Sequence, residues 1–563
     1  MTATNVGMLL TDSARAIPDQ IAIAVSEPKG EKRHYQQMSF QELDRETDLI
    51  AAGFTAAGAR KGMRLALLVR PGMDFIKLVF GMFKSGLVPI LVDPGMGRNN
   101  LIQCLSETEP EGFVAIPIAQ ATRCLLRRRF PKAKFNITVG RRWFWGGKTL
   151  KQLVELGKKK TARDRNQYQL NAVKSQDPAA VIFTTGSTGI PKGVLYSHKN
   201  FVEQVEEIRD YYHIRPGSVD ISGFPLFALF NAGMGVTTVV PKMDFTRPAD
   251  VNPTEIISAV SDWNADQSFG SPALWTTVGR YCEANNVVLP SLKRVLTAGA
   301  PVAPHILRRL KKIIAEDGDI HTPYGATEAL PVASIDATTV INETAEKTEK
   351  GKGTCVGNRF PGIQTRIIEI SDDPISDISQ TKELEPFEIG ELMVQGDVVT
   401  EMYVTRTDSN RYHKVRQGDS FWHRMGDVGY LDDRERFWFC GRKSHRLNTA
   451  SGPMYTIPCE AIFNTHESIY RTALVGIGDQ MQQQPVLVIE TWPQQKPTTP
   501  LDEEKLLTEL KSIGNKSDLT RSIQKFLFID KMPVDIRHNS KIFREELTVW
   551  AEKKLGLHNI RLN

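Results

Sequence analysis

The chain reads as an α/β protein in two parts, a large N-terminal domain and a smaller α+β C-terminal domain. Three observations carry that reading. Amphipathic segments alternate with short apolar runs through the first part of the chain, which argues an α/β fold. At 563 residues the chain is long for one domain, and two or three are expected. After DVGYLDDRERFWFCGRK the composition turns short and polar in KSHRLNTASGP, and beyond it about 120 residues mix strands with helices, enough for a small domain. The boundary therefore falls near Ser444, between residues 1–443 and 444–563.

Taken in order, SFQELDRETDLIAAGFTAAG is amphipathic and helical, RLALLVR is a strand, DFIKLVFGMFKSG is a helix and VPILVD is a buried strand. AAVIF enters TTGSTGIPKG (Thr184–Gly193) as a strand and GVLYS leaves it as another, with helical spacing starting near Lys199. KRVL is a strand ending in the TAGAP turn. DVGYLDDRERFWFCGRK is a hairpin turning at two aspartates. In the last part RTALVGIG and PVLVIETW are strands, and DEEKLLTELKS and FREELTVWAEKKLG are helices. There is no internal repeat and no low-complexity tract.

The loop between AAVIF and GVLYS is not a Walker A loop. Gly189 lies three residues before Lys192, and Lys192 is followed by Gly193 rather than a hydroxyl residue. It is a strand–loop–strand turn in which Thr184, Thr185, Gly186, Ser187, Thr188, Gly189 and Lys192 offer hydroxyls, backbone N–H groups and one cation to an anion. With the next valine, TTGSTGIPKGV resembles the phosphate-binding loop of the ANL superfamily of adenylate-forming enzymes. These are the acyl-CoA synthetases, peptide-synthetase adenylation domains and beetle luciferases, which join a carboxylate to AMP. The resemblance implies ATP as cosubstrate, Mg²⁺ as its ion, and a mobile C-terminal domain that closes as a lid carrying a catalytic lysine.

The other parts that adenylation needs occur in family order. Gly299, Ala300 and Pro301 of TAGAP match the segment that lines adenine. In YGATE, Tyr324 offers a face for stacking adenine, Thr327 can reach phosphate, and Glu328 is a hard oxygen ligand for Mg²⁺. Asp427 has two acceptor oxygens for the ribose hydroxyls, and Arg442, one hairpin later, matches a second ribose contact. In PVDIRHNSKIFREEL, Lys541, Ile542, Arg544 and Leu547 fit the family's terminal frame, so Lys541 is the lysine that meets carboxylate and α-phosphate.

Four departures bear on the second half-reaction. Ala228 in FPLFALF stands where acyl-CoA synthetases carry a histidine, and Ser444 holds the hinge position usually given to Asp or Lys. NTASGPMYTIPCE is longer than the turn that meets pantetheine, and DIRHNSK lacks the glycine before the lysine. GFPLFALFNAGMG, TPYGATEALPVA, HRMGDVGY, MYTIPCEAIFNT and MPVDIRHNSKI together resemble the β-lactone synthetases of bacterial long-chain olefin biosynthesis. That resemblance implies adenylation of a 2-alkyl-3-hydroxy fatty acid, followed by closure to a β-lactone with loss of AMP. It also implies pathway neighbours: a thiolase-like condensing enzyme, a reductase and a β-lactone decarboxylase. His445, beside the hinge, is a candidate base for the 3-hydroxyl, with the adenylate phosphate as its competitor. Phe224, Phe227, Ala228, Phe230, Phe269 and Ala273 are candidate lining for the alkyl branches. Two alternatives stay open: a fatty acyl-CoA or acyl-carrier-protein ligase, and a catalytically silent acyl-adenylate-binding scaffold.

The net charge of +6 conceals a division. Residues 121–170 hold fifteen Lys/Arg against Glu155 and Asp164, a balance of +13, so the rest of the chain is at −7. Leu125, Leu126, Phe130, Trp143, Phe144 and Trp145 are interleaved with those cations. A solvated basic loop, peripheral contact with an anionic membrane, or an acidic partner all fit. No recognition module for nucleic acid accompanies the charge. Six scattered cysteines without metal-ligand spacing, and the lack of a signal-peptide pattern, point to a cytoplasmic protein.

Overall fold

Val88–Leu91 is buried at all four positions, as suits the middle of a parallel sheet covered on both faces. The computed structural model describes residues 5–29, 32–163, 173–184, 190–224, 226–535 and 541–557, and three large sheets organise most of them. In the first, Val88–Leu91 lies between Arg64–Leu68 and Pro178–Phe183, and Gly112–Ala115, Phe135–Thr138 and Lys148–Thr149 continue the parallel order. Gly193–Ser197 then pairs antiparallel with Pro178–Phe183. The second sheet runs Asp319–His321, Arg294–Thr297, Gln267–Gly270, Val219–Ser222, Thr237–Val240 and Ile21–Lys29 in parallel, edged by the antiparallel Lys32–Ser39. The third is antiparallel and built around the long strand Ser420–Leu431.

The helices arise where the sequence places them. Phe40–Ala56 starts in a capping box: Ser39 Oγ accepts from Glu42 N–H at 3.2 Å and Ser39 N–H donates to Glu42 Oε2 at 2.9 Å. Such a cap contributes about 1 kcal/mol. That helix meets Met73–Lys84 through Lys84, whose side chain is fully buried and paired with Asp44 at 2.5 Å and Asp48 at 2.7 Å. His198–Tyr211 begins with a second capping box, Ser197 with Asn200.

Beyond residue 442 a short turn, Lys443–His445, leads to the hairpin Leu447–Thr449/Gly452–Met454. Ile469–Ile477 pairs antiparallel with Gln484–Thr491, which pairs parallel with Lys525–Phe528. Thr456–Phe463, Pro500–Asn515 and Arg544–Lys554 are the helices of this part. It buries its own apolar residues, among them Phe463, Leu474, Leu487 and Leu510, as a separate small domain must.

The basic segment departs in part from the expected exposed surface. Phe130 and Trp145 are buried, and Trp145 donates its indole N–H to Thr138 at 3.0 Å. Leu125, Trp143 and Phe144 are exposed. Residues 164–170 lie outside the described residues.

Candidate active site

The strand–loop–strand reading holds at both stems of the loop. Phe183 pairs with Gly193, Thr184 N–H donates to Lys192 O at 3.0 Å, and Lys192 N–H donates to Thr184 Oγ1 at 3.1 Å. Thr185, Gly186, Ser187, Thr188 and Gly189 lie outside the described residues. Lys192 projects into a cavity of 2290 Å³ that opens where the sheets end and the C-terminal domain begins. That is larger than an ordinary ligand pocket of roughly 300–1,000 Å³, because several subsites run together in it.

Gly299, Ala300 and Pro301 border this cavity, Gly299 at φ 98°, a left-handed conformation that favours glycine at the strand end. Tyr324–Ala326 is a short strand paired with Ala329–Ser334, so YGATE is the tip of a hairpin. Tyr324 borders the cavity with its hydroxyl hydrogen-bonded to Asp427 Oδ2 and Phe437 at 5.6 Å from its ring. Burial and the Asp427 charge push the Tyr324 pKa well above its usual value, so the phenol keeps its proton and donates. Asp427 and Arg442 are directly opposed on neighbouring strands, and Arg442 Nη1 reaches Asp427 Oδ1 at 2.8 Å. Oδ2 thus accepts one hydrogen bond and Oδ1 has the Arg442 charge beside it, and each keeps lone-pair capacity for a further donor.

Thr327 and Glu328 are held by residues that sequence reasoning missed. Tyr196 donates its hydroxyl to Thr327 O at 2.5 Å, and Tyr403 donates to Glu328 Oε1 at 2.5 Å. Burial first and the Glu328 charge second raise the Tyr403 pKa, so Tyr403 remains a donor. Lys192 Nζ lies 4.8 Å from the Tyr403 ring centroid and 3.2 Å from His413 Nε2. His413 Nδ1 is 3.1 Å from the carbonyl of Arg424, an acceptor only, which places the ring proton on Nδ1 and leaves Nε2 to accept from Lys192. No local motif announces these partners, since 75 residues separate Tyr403 from Glu328 and 221 separate His413 from Lys192.

Burial, then the Lys192 charge, lower the His413 pKa from 6.5 to about 4. Between those values the unfolded chain binds a proton that the folded protein refuses, so folding stability falls as pH drops through this window. His413→Gln should flatten that acid limb relative to wild type, by up to about 1.4 kcal/mol per pH unit. Denaturant melts across the window check it, and identical slopes for the two proteins would overturn the assignment.

The turn Lys443–His445 is pinned on both sides. Lys443 Nζ meets Glu391 Oε2 at 3.1 Å and Ser371 O at 2.8 Å, while Arg446 pairs with Asp372. Gly441, at φ 137°, lets the backbone approach the second domain, since a Cβ there would stand 2.8 Å from Thr456 Oγ1. His445 lines the cavity, 10% exposed, with Nε2 3.4 Å from Glu545 Oε1. Lys541 lines the same cavity. Its segment is held by the Asp535 N–H to Lys541 O bond at 2.9 Å and the Phe543 N–H to Pro533 O bond at 2.9 Å.

Phe224, Phe227, Phe230, Phe269 and Ala273 line the apolar part of the cavity, and Phe227 stacks on Phe269 at 4.2 Å. Ala228 does not. It is 2% exposed on the opposite side of its helix and faces a separate crevice with Phe75, Ile76 and Val240, because successive helical residues point about 100° apart. The missing histidine therefore does not widen the cavity from position 228.

The model of the family described as AMP-binding enzyme matches residues 10–404. The chain is 42% identical over 561 residues to the olefin beta-lactone synthetase of Xanthomonas campestris pv. campestris, covering 98% of each chain. It is 40% identical over 560 residues to the protein of the same name from Stenotrophomonas maltophilia, again covering 98% of each. Among solved structures, the amide bond synthetase of Marinactinospora thermotolerans superposes with a TM-score of 0.77 at 18% identity, over 97% of this chain and 99% of that one. The o-succinylbenzoate CoA synthetase of Bacillus subtilis, in complex with ATP and magnesium ion, gives 0.72 at 17% identity over 96% and 98%.

Proposed function

Because the chain belongs to the AMP-binding enzyme family, we propose that it adenylates a 2-alkyl-3-hydroxy fatty acid with ATP and closes the product to a β-lactone. The observation that carries the reading is one cavity bordered by Lys192, Glu328, Asp427 and Lys541 and continuous with an aromatic, apolar lining. That lining includes Phe75, Ile116, Ile118, Phe201, Ile208 and Phe230, an apolar surface that suits an acid with two alkyl branches.

In this reading the substrate carboxylate attacks the α-phosphorus of ATP and the bond to pyrophosphate breaks. Lys541 stabilises the charge shared by carboxylate and phosphate, Lys192 takes the leaving pyrophosphate, and Asp427 with Arg442 holds the ribose. Glu328 fits Mg²⁺: it is a hard carboxylate oriented by Tyr403, and the ion usually combines one or two such groups with substrate phosphates. No cluster of three or more His, Cys, Asp or Glu that could cage a metal occurs among the described residues. The ion, when bound, neutralises phosphate charge. The 3-hydroxyl oxygen then attacks the acyl carbon as the bond to AMP breaks, and its proton passes to the departing phosphate. His445 borders the same cavity and is the alternative acceptor. A carboxylate at Nε2 favours the tautomer in which Nδ1 accepts. The domain boundary between residues 443 and 444 places the hinge in the pinned turn, and the segment 444–563 moves as the lid.

A condensing enzyme and a reductase supply the substrate, a β-lactone decarboxylase consumes the product, and the free thiols of the six cysteines accord with the cytoplasm. Attack within a bound adenylate can reach effective molarities of roughly 10⁵–10⁸ M, less what four-membered ring strain removes. The 3-hydroxy acid with ATP and no thiol should therefore yield lactone, AMP and pyrophosphate, and the 3-deoxy acid should stall as adenylate. Product analysis checks this. A thioester formed only when CoA is added would make the protein a ligase, and absent ATP–pyrophosphate exchange would make it a scaffold.

A further inference from the structure

From Pro117 to Lys148 the chain has no carboxylate and nine cations. Among the described residues only Lys132 of these has an ion-pair partner, Glu109 at 2.7 Å. Arg127, Arg128, Arg129, Arg141 and Arg142 are exposed. Large apolar side chains are exposed among them: Ile118 at 72%, Leu125 at 85%, Trp143 at 62% and Phe144 at 80%. Burial of such groups is the ordinary outcome of folding, so a cluster of them beside unpaired arginines marks a contact surface.

Two placements join this surface to the active site. Ile118 and Leu125 are seven residues apart on the helix Pro117–Leu125, hence on one face, and Ile118 also borders the cavity. The loop carrying Arg141–Phe144 abuts the start of that helix, since a Cβ on Gly140 would lie 3.7 Å from the Pro117 ring. Phe144 and Trp143 pack on the buried Trp145 at 5.2 and 5.9 Å, which gives the aromatic tip a fixed base.

The geometry points to a docking surface for an anionic lipid bilayer, with the cavity mouth at Ile118 held against the membrane. Arginines take the headgroup phosphates, while Trp143, Phe144 and Leu125 enter the interface, the level at which aromatic side chains settle. The inference rests on the proposed substrate, because a two-branched long-chain acid resides in a bilayer and would reach the cavity without crossing water.

The test is co-sedimentation of the whole protein with phosphatidylglycerol–phosphatidylcholine vesicles, against phosphatidylcholine alone. Binding should need the anionic lipid and fall at least about tenfold as salt rises from about 0.1 M to about 1 M, where the Debye length shrinks from about 10 Å to about 3 Å. The variant Arg127→Gln, Arg128→Gln, Arg129→Gln, Arg141→Gln should lose binding by about tenfold or more, and Trp143→Ser with Phe144→Ser should lose it at low salt as well. Both variants should turn over a dissolved short-chain 3-hydroxy acid as wild type does and lag only on acid presented in vesicles. Salt-insensitive binding, equal binding to the neutral lipid, or retention by an acidic protein with no affinity for vesicles would overturn the surface. Vesicle binding without lactone from any dissolved acid would instead sink the proposed function and leave the surface standing.

Discussion

Lys541→Ala is expected to slow adenylate formation by roughly 10²–10³, the loss typical of one aimed donor at developing charge. The fold should survive. The stem of the segment is held by backbone bonds, Asp535 N–H to Lys541 O and Phe543 N–H to Pro533 O, and by the Val534–Ile542 bridge, none of which needs the lysine side chain. ATP–pyrophosphate exchange, read beside a thermal melt, separates chemistry from stability. An unchanged melt with near-normal exchange would remove Lys541 from the mechanism.

Arg544→Met should have an effect of similar size on stability. Arg544 belongs in sequence to the lysine's terminal frame, and in the structure it borders the same cavity while its guanidinium is anchored inside the C-terminal domain. It forms two bonds to Glu460, at 2.5 and 2.9 Å, and donates to Leu474 O at 3.0 Å, with both side chains almost wholly buried. Removing the guanidinium leaves the Glu460 carboxylate inside the domain with the Leu474 N–H, at 2.7 Å, as its one hydrogen-bond donor among the described residues. Breaking one side of a buried pair costs about 3–5 kcal/mol, far more than the net worth of the pair. Denaturant unfolding reads the loss directly. Arg544→Met, Glu460→Leu should recover much of it, since no stranded charge remains. If the single and double replacements are equally unstable, the arginine acts by packing rather than by pairing.

The two variants divide a stretch of four residues between chemistry and architecture. Both border the cavity, and Arg544 in addition ties the first turn of the helix Arg544–Lys554 to the helix Thr456–Phe463. A change at Arg544 should therefore lower adenylation chiefly through misplacement of Lys541. Substrate saturation should rescue little of that loss, because the geometry at the reacting carboxylate is what suffers.

The sequence by itself determined what periodicity and turn chemistry encode. The helices Phe40–Ala56, Met73–Lys84 and His198–Tyr211 and the strands around them follow from local spacing and caps, and the α/β class with a smaller second domain follows from their order. The sequence also singled out Lys192, Glu328, Tyr324, Asp427, Arg442 and Lys541, each in a short stretch whose residue types are needed together, and all six border one cavity. Tertiary structure alone decided what those residues touch. Tyr403 beneath Glu328, His413 beside Lys192 and Tyr196 on Thr327 come from strands and turns remote in sequence, and long-range pairing leaves no local periodicity to read. Helix rotation turned Ala228 into the core and Phe227 and Phe230 toward the cavity, a choice fixed by packing against Phe75 and Val240 rather than by composition. Burial likewise withdrew Trp145 and Phe130 from the basic surface and left Trp143 and Phe144 exposed on it. Neighbouring aromatics of one chemical kind were thus separated by which of them the core had room to cover.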